Sequence, residues 1–330
     1  MRRRQSLHGL LALCLYVASA PVAGQLVRRD SPVRVATLDD APEAVRAQLW
    51  AIFRKRLDEL GYSEDRNLRI VARFAGGELK RLDNLAAELA ALKPDVLVAV
   101  TTTAALAARR ATREIPIVAL GPADPVKSGL VASFARPGGN LTGVSPNQAE
   151  LAGKWLQLVR ELVPTAQSVA YVTDPGNPGE MLVFRELEKQ ARALGISASV
   201  LDGVTSAGVA QAFAEIAAKG TDALIVATTT SLLPHRQQIA DSAARLRLPA
   251  IYARREYAEA GGLLSYGSDI GAVFRRGADY VDRILRGAKP ADLPFEMASS
   301  YRFVLNLKTA RALGLAIPNA VRIRADEVIE

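Results

Sequence analysis

Cysteine is almost missing from this chain. Its 330 residues hold one, Cys14, close to the N-terminus. Beyond that point there can be no disulfide, thiol nucleophile or cysteine-based metal site, so stability must come from packed cores. Histidine is nearly as scarce, with only His8 and His235. No G-x-S-x-G elbow accompanies a Ser-His-Asp set, and no H-E-x-x-H or other metal-ligand spacing occurs. G-x-G-x-x-G and P-loop motifs are also missing, which removes the usual cradle for a nucleotide phosphate. No catalytic residue, metal or cofactor is therefore expected, although a paired acid and base formed by two carboxylates stays open. Aromatic residues make up only 5% of the chain.

What is present is a globular composition, 49% hydrophobic and 23% charged, with length enough for two domains. The net charge of +8 is spread along the chain and forms no basic stripe with interleaved aromatics, so nucleic acid is not an expected partner. Arg2, Arg3 and Arg4 precede an apolar run, Leu10–Ala20, and small residues continue to Gly24. That order reads as an export signal over residues 1–24, cleaved after Gly24, with Val22 at the −3 position. The run is too short to span a bilayer in the usual way. Arg3-Arg4-Gln5-Ser6-Leu7 only partly matches a twin-arginine signal, which favours general secretion. Cys14 follows Leu13 early in the apolar run, a poor setting for a lipid-acceptor cysteine.

Residues 88–103, ELAALKPDVLVAVTTT, return at 215–230 as EIAAKGTDALIVATTT, identical at eight of sixteen positions. Each copy reads as a helix end, a buried strand and a triple-threonine loop entering another helix. Around them, short β-branched runs alternate with amphipathic stretches, the βαβ pattern of parallel sheets. The first series has strands at 33–38, 67–74, 95–100 and 115–120 with helices at 43–60, 79–92 and 104–113. The second has strands at 168–172, 197–201, 222–227 and 249–253 with helices at 180–194, 209–219 and 232–246. The matching order implies duplicated lobes. The first is expected at 33–143 plus about 264–300, and the second at 144–263. The tail, 301–330, is expected to pack across the hinge and the first lobe. The turn-rich Arg136–Gly143 reads as a crossing between lobes.

In open parallel sheets, ligands gather at the carboxyl ends of strands, where helix N-termini present unpaired N–H groups. Four corners fit that geometry: Thr101, Thr102 and Thr103; Thr228, Thr229 and Thr230; Asp124; and Asp174 with Asn177. Threonine before a helix is equally an ordinary cap, and Asp-Pro an ordinary turn. Tyr252 and Arg254 follow the last strand of the second series. Arg254 suits a carboxylate, and Tyr252, Tyr257 and Tyr266 are the aromatic residues that could stack on a ligand.

Several long runs resemble one family. They are Asp124–Gly143 (DPVKSGLVASFARPGGNLTG), Arg255–Gly267 (REYAEAGGLLSYG), Lys289–Pro294 (KPADLP), Asn306–Ala310 (NLKTA) and Ala325–Glu330 (ADEVIE). Together they are similar to the TrpX-like substrate-binding proteins of ABC transporters and cover nearly all of the chain after the signal, in order. The resemblance implies a type I periplasmic binding-protein fold, α/β, with two Rossmann-like lobes and a multi-crossing hinge. It also implies capture of a small solute by lobe closure and its delivery to an ABC permease, without fixing the ligand. Arg254 and the hydroxyl corners suit a carboxylate-bearing, amino-acid-like one, and a periplasmic monomer is expected. A two-lobed periplasmic enzyme and a sensory module for a membrane receptor are the alternatives.

Overall fold

The computed structural model describes residues 31–146 and 148–330; the expected signal at 1–24, with His8 and Cys14, lies outside the described residues. The first lobe opens with β1 (Val33–Asp39), α1 (Glu43–Glu59), β2 (Leu68–Phe74) and α2 (Leu82–Ala91). It continues through β3 (Val96–Val100), α3 (Thr101–Ala111), β4 (Ile117–Leu120) and β5 (Leu141–Ser145). The chain then enters the second lobe with α4 (Gln148–Leu162), β6 (Ser168–Thr173), α5 (Pro178–Ala193), β7 (Ser197–Asp202) and α6 (Ser206–Lys219). β8 (Ala223–Val226), α7 (Arg236–Arg245), β9 (Ala250–Tyr252), α8 (Arg255–Glu259) and β10 (Leu264–Ser268) follow. α9 (Ile270–Leu285) and β11 (Glu296–Met297) return to the first lobe. The chain ends in the second with β12 (Tyr301–Asn306), α10 (Leu307–Leu313), α11 (Asn319–Arg322) and β13 (Glu327–Ile329).

The sheets run in the order β11-β5-β4-β3-β1-β2 and β13-β12-β10-β9-β8-β6-β7. All pairings are parallel except β10 with β12. In each lobe the strand order reverses at the first strand, β1 or β6, which opens a crevice beyond the strand ends. The continuously apolar strands are explained by helices on both faces. In β3, Val96, Val98 and Val100 join one core with Trp50, Phe53 and Phe274, while Leu97 and Ala99 join another with Leu85, Leu89 and Ala104. Each large side chain so buried contributes about 1.5–3 kcal/mol. Gly277 lets α9 lie directly on β4, because an added Cβ would sit 2.4 Å from Leu120 Cδ2.

The observed organisation differs from the expected one in three places. β10 and the tail belong to the second lobe, because β12 pairs antiparallel with β10 and Phe303 and Leu305 fill that lobe's core. Arg136–Gly143 is not the crossing, since it feeds β5 in the first sheet and the chain leaves that sheet at Pro146. α4 was not anticipated; it buries Leu151, Trp155, Leu156 and Val159, and Trp155 Nε1 donates to Tyr266 O at 2.8 Å. Among the described residues, the chain passes between the lobes three times. No helix there is long and apolar enough to cross a membrane.

Candidate ligand-binding cleft

The end of β1 carries two adjacent carboxylates, Asp39 and Asp40, and α1 brings Arg46 to both. Arg46 Nε lies 2.9 Å from Asp39 Oδ1, and Nη2 lies 3.1 Å from Asp40 Oδ1. Asp39 also accepts from Trp50 Nε1 at 2.9 Å and from Ala41 N at 3.0 Å. Burial pushes the Asp39 carboxyl up to about 6, against the pull of Arg46. Asp40 Oδ2 faces the first threonine corner and accepts from Thr101 Oγ1 at 2.8 Å and Thr103 Oγ1 at 3.4 Å. Thr101 holds φ at 82°, a costly conformation for a β-branched residue, and its hydroxyl is thereby tied to Asp40. The same Arg46 Nη2 donates across the lobe boundary to Thr230 Oγ1 at 2.6 Å.

The second lobe mirrors this corner with different chemistry. Glu180, in the first turn of α5, is 5% exposed. Its Oε2 accepts from Tyr171 Oη at 2.8 Å and Thr173 Oγ1 at 3.2 Å, and its Oε1 from Thr228 Oγ1 at 3.0 Å. Gln148 Nε2 donates to the same Thr228 hydroxyl. The duplicated triplets are therefore not equivalent. Thr101–Thr103 start an α-helix, whereas Thr230–His235 form a 3-10 turn containing Pro234, whose missing N–H disfavours a regular first turn.

Asp40, Arg46 and Thr101 of the first lobe and Gln148, Glu180 and Thr228 of the second line one cleft with an empty volume of about 570 Å³, counting the part open to solvent. Of the residues singled out from sequence, Thr101, Thr102, Asn177, Thr228, Thr229, Thr230 and Arg254 line it. Within it, Thr102 Oγ1 accepts from Ala123 N at 3.1 Å, Asn177 Oδ1 caps α5 through Gly179 N at 2.9 Å, and Thr229 bonds Ser231 at 3.1 Å. Arg254 is clamped by Glu256, with Nη2 2.5 Å from Oε1. Burial would push Glu256 up, yet Arg254 holds its carboxyl below the usual range.

The other expected site residues are not among those that line the cleft. Thr103 stands behind Thr101, bonded to it at 2.9 Å. Asp124 caps its own turn through Lys127 N at 2.9 Å, and Asp174 does the same through Gly176 N at 2.9 Å. Burial raises the Asp174 carboxyl, and the charges of Asp202 and of Asp40 in the opposite lobe add to the rise. Tyr252 stacks on Tyr257 at 5.0 Å inside the second lobe's core and is not among the residues that line the cleft. Tyr266 stacks on Tyr301 at 6.1 Å, away from the cleft lining.

Asp40, Arg46, Gln148 and Glu180 line the cleft but were missed, as was an apolar wall of Val100, Leu120, Ile270, Val273 and Phe274. One signal was available. Asp39-Asp40 after the first strand of one lobe corresponds to Thr173-Asp174 after the first strand of the other, and only the second pair stood out beside a Pro-Gly turn. Gln148 and Glu180 lie within helices, where sequence alone does not tell an inward from an outward side chain.

Two similar α/β lobes, three crossings and a polar cleft at both switch points define a two-lobed solute-binding protein. Residues 46–329 match the family described as ABC transporter substrate binding protein, and the chain belongs to that family. It is the solute-binding component of an ABC transporter, with a small solute and the transporter's permease as partners. Among curated proteins it is similar to a "Tyrosine-binding protein" of Clostridioides difficile, 26% identical over 278 residues, covering 83% of this chain and 80% of the relative. Among solved structures, a conserved domain protein from Vibrio cholerae is 28% identical with a TM-score of 0.84, covering 90% of this chain and 100% of that one. An ABC domain in complex with L-Trp from Streptococcus pneumonia is 24% identical with a TM-score of 0.81, covering 91% and 100%.

Proposed function

We propose that the protein works in the periplasm as a monomer, closes its lobes on an α-amino acid with an apolar side chain, and delivers it unchanged to the permease. The observation that carries this reading is the convergence of both threonine corners on one cleft, already spanned by Arg46 to Thr230 at 2.6 Å. The polar floor suits a zwitterionic head group, and the wall of Ile270, Val273 and Phe274 suits an apolar side chain. A relative named for tyrosine and a fold neighbour holding L-Trp support the same class. Ligand bridging the two corners offsets the cost of bringing the lobes together. The Arg254–Glu256 pair moves Arg254 from ligand contact to a support of the cleft wall.

The test is calorimetric titration with L-tyrosine, L-tryptophan and L-phenylalanine, followed by small-angle scattering at saturation. Binding with compaction, and recovery of the amino acid unaltered, is the expected result. Consumption of the amino acid would transfer the cleft to an enzyme. Absence of binding by all three would remove the aromatic members of the proposed class.

A further inference from the structure

The two sides of the cleft balance their charges differently. In the first lobe, Asp39 and Asp40 share the guanidinium of Arg46. In the second, Glu180 is equally buried, yet among the described residues no lysine, arginine or histidine pairs with it. Arg254 lines the same cavity but is committed to Glu256. Burial raises the Glu180 carboxyl above its usual range, and the charge of Asp174 adds slightly to the rise.

A buried carboxylate without a cation is costly to ionise, and hydroxyl donors answer only part of that cost. The oxygen inventory shows what is left over. Oε2 is occupied by two hydroxyls, Tyr171 and Thr173. Among the described residues only Thr228 donates to Oε1, which leaves that oxygen capacity for a further donor, and Thr228 and Glu180 both border the cleft. Thr228 cannot turn away, because Gln148 fixes its hydroxyl from the other side.

We infer that Glu180 receives the ammonium group of the cargo at Oε1 and makes the cleft select primary amines over the same molecules without the amine. This rests on the amino-acid reading above. Asp40 is the weaker candidate, since Arg46 already balances it and two threonines occupy its other oxygen. The ligand cation would supply the countercharge that the fold withholds, so the acid is poised for one kind of partner.

The experiment compares affinities for two matched pairs: L-tyrosine with 3-(4-hydroxyphenyl)propionate, and L-tryptophan with 3-(indol-3-yl)propionate. The wild type should prefer the amine-bearing member by roughly 10- to 150-fold, the range of a charge-assisted hydrogen bond. Glu180→Gln keeps the shape and should reduce that ratio to about one, without lowering the melting temperature of the ligand-free protein. A ratio retained in Glu180→Gln overturns the assignment while the amino-acid reading stands. A wild type that binds both members of each pair equally overturns it too. Binding of neither amino acid removes the aromatic members of the proposed class and overturns this assignment. Should Glu180→Gln not fold, Glu180→Asp decides: it withdraws the charge by one methylene, and an undiminished ratio refutes the role.

Discussion

Gly179 is the position where one methyl group should separate closing from folding. It sits in the first turn of α5 in the second lobe, and an added Cβ would lie 2.5 Å from Oγ1 and 3.0 Å from Cβ of Thr102 in the first lobe. Ordinary contact begins at 3.4 Å, so the lobes would have to stay apart by about 0.9 Å at this point. Inserting a methyl into a packed contact costs about 1–3 kcal/mol, which corresponds to roughly a 5- to 150-fold rise in Kd. The isolated lobe feels little of this. Asn177 Oδ1, 3.2 Å away, needs to give only a few tenths of an ångström, and alanine is the better helix former by about 1 kcal/mol. Gly179→Ala should therefore keep or raise the ligand-free melting temperature, weaken the cargo, and reduce compaction in small-angle scattering. Thr102→Gly in the same chain removes both clashing atoms and should restore part of the affinity. Unchanged affinity together with a lower melting temperature would mean that the methyl is absorbed inside α5, and that this contact does not govern closing.

Arg46→Met strands Asp39 and Asp40 in a buried site, and urea denaturation should show a loss of about 3–5 kcal/mol; a loss below about 1 kcal/mol would mean that water replaces the guanidinium. Asp39 provides a pH test, since its carboxyl sits at about 6 in the fold against 3.8 ordinarily. The folded state thus keeps a proton that the unfolded chain releases. That contribution is full below about pH 4 and lost as pH rises to about 6, on the order of 3 kcal/mol. Asp39→Asn should flatten this part of the stability profile, and an identical slope in the variant would assign it to another group. Arg254→Ala should weaken amino acids less than about threefold, because its charge is spent on Glu256; a selective tenfold loss for carboxylate ligands would show that the pair opens to bind.

Much of the architecture was readable because the strands are apolar on both faces and the glycines after α1 and α5 stop those helices where expected. The duplicated triple threonine placed both cleft corners. What escaped depended on partners distant in sequence. Asp40 matters through Arg46 and Thr101, and Glu180 through Tyr171 and Thr228, pairings that only the three-dimensional fold creates. Tyr252 misled for the same reason: after a strand end an aromatic can face a cleft or a core, and its stack with Tyr257 decides the matter. Arg254 stood in the expected place, but Glu256, two residues on, consumes its charge.

The assignment of β12 and β13 to the second sheet puts the two ends of the described chain on different bodies. Ser31 precedes the first strand of one lobe, and Glu330 follows the last strand of the other; both are exposed. Since Cys14 is the sole native thiol, cysteines introduced at these ends of a chain that begins at Gln25 would carry a donor and an acceptor dye with no competing label. The distance between them then becomes a gauge of lobe angle, read without touching a residue that faces the cargo.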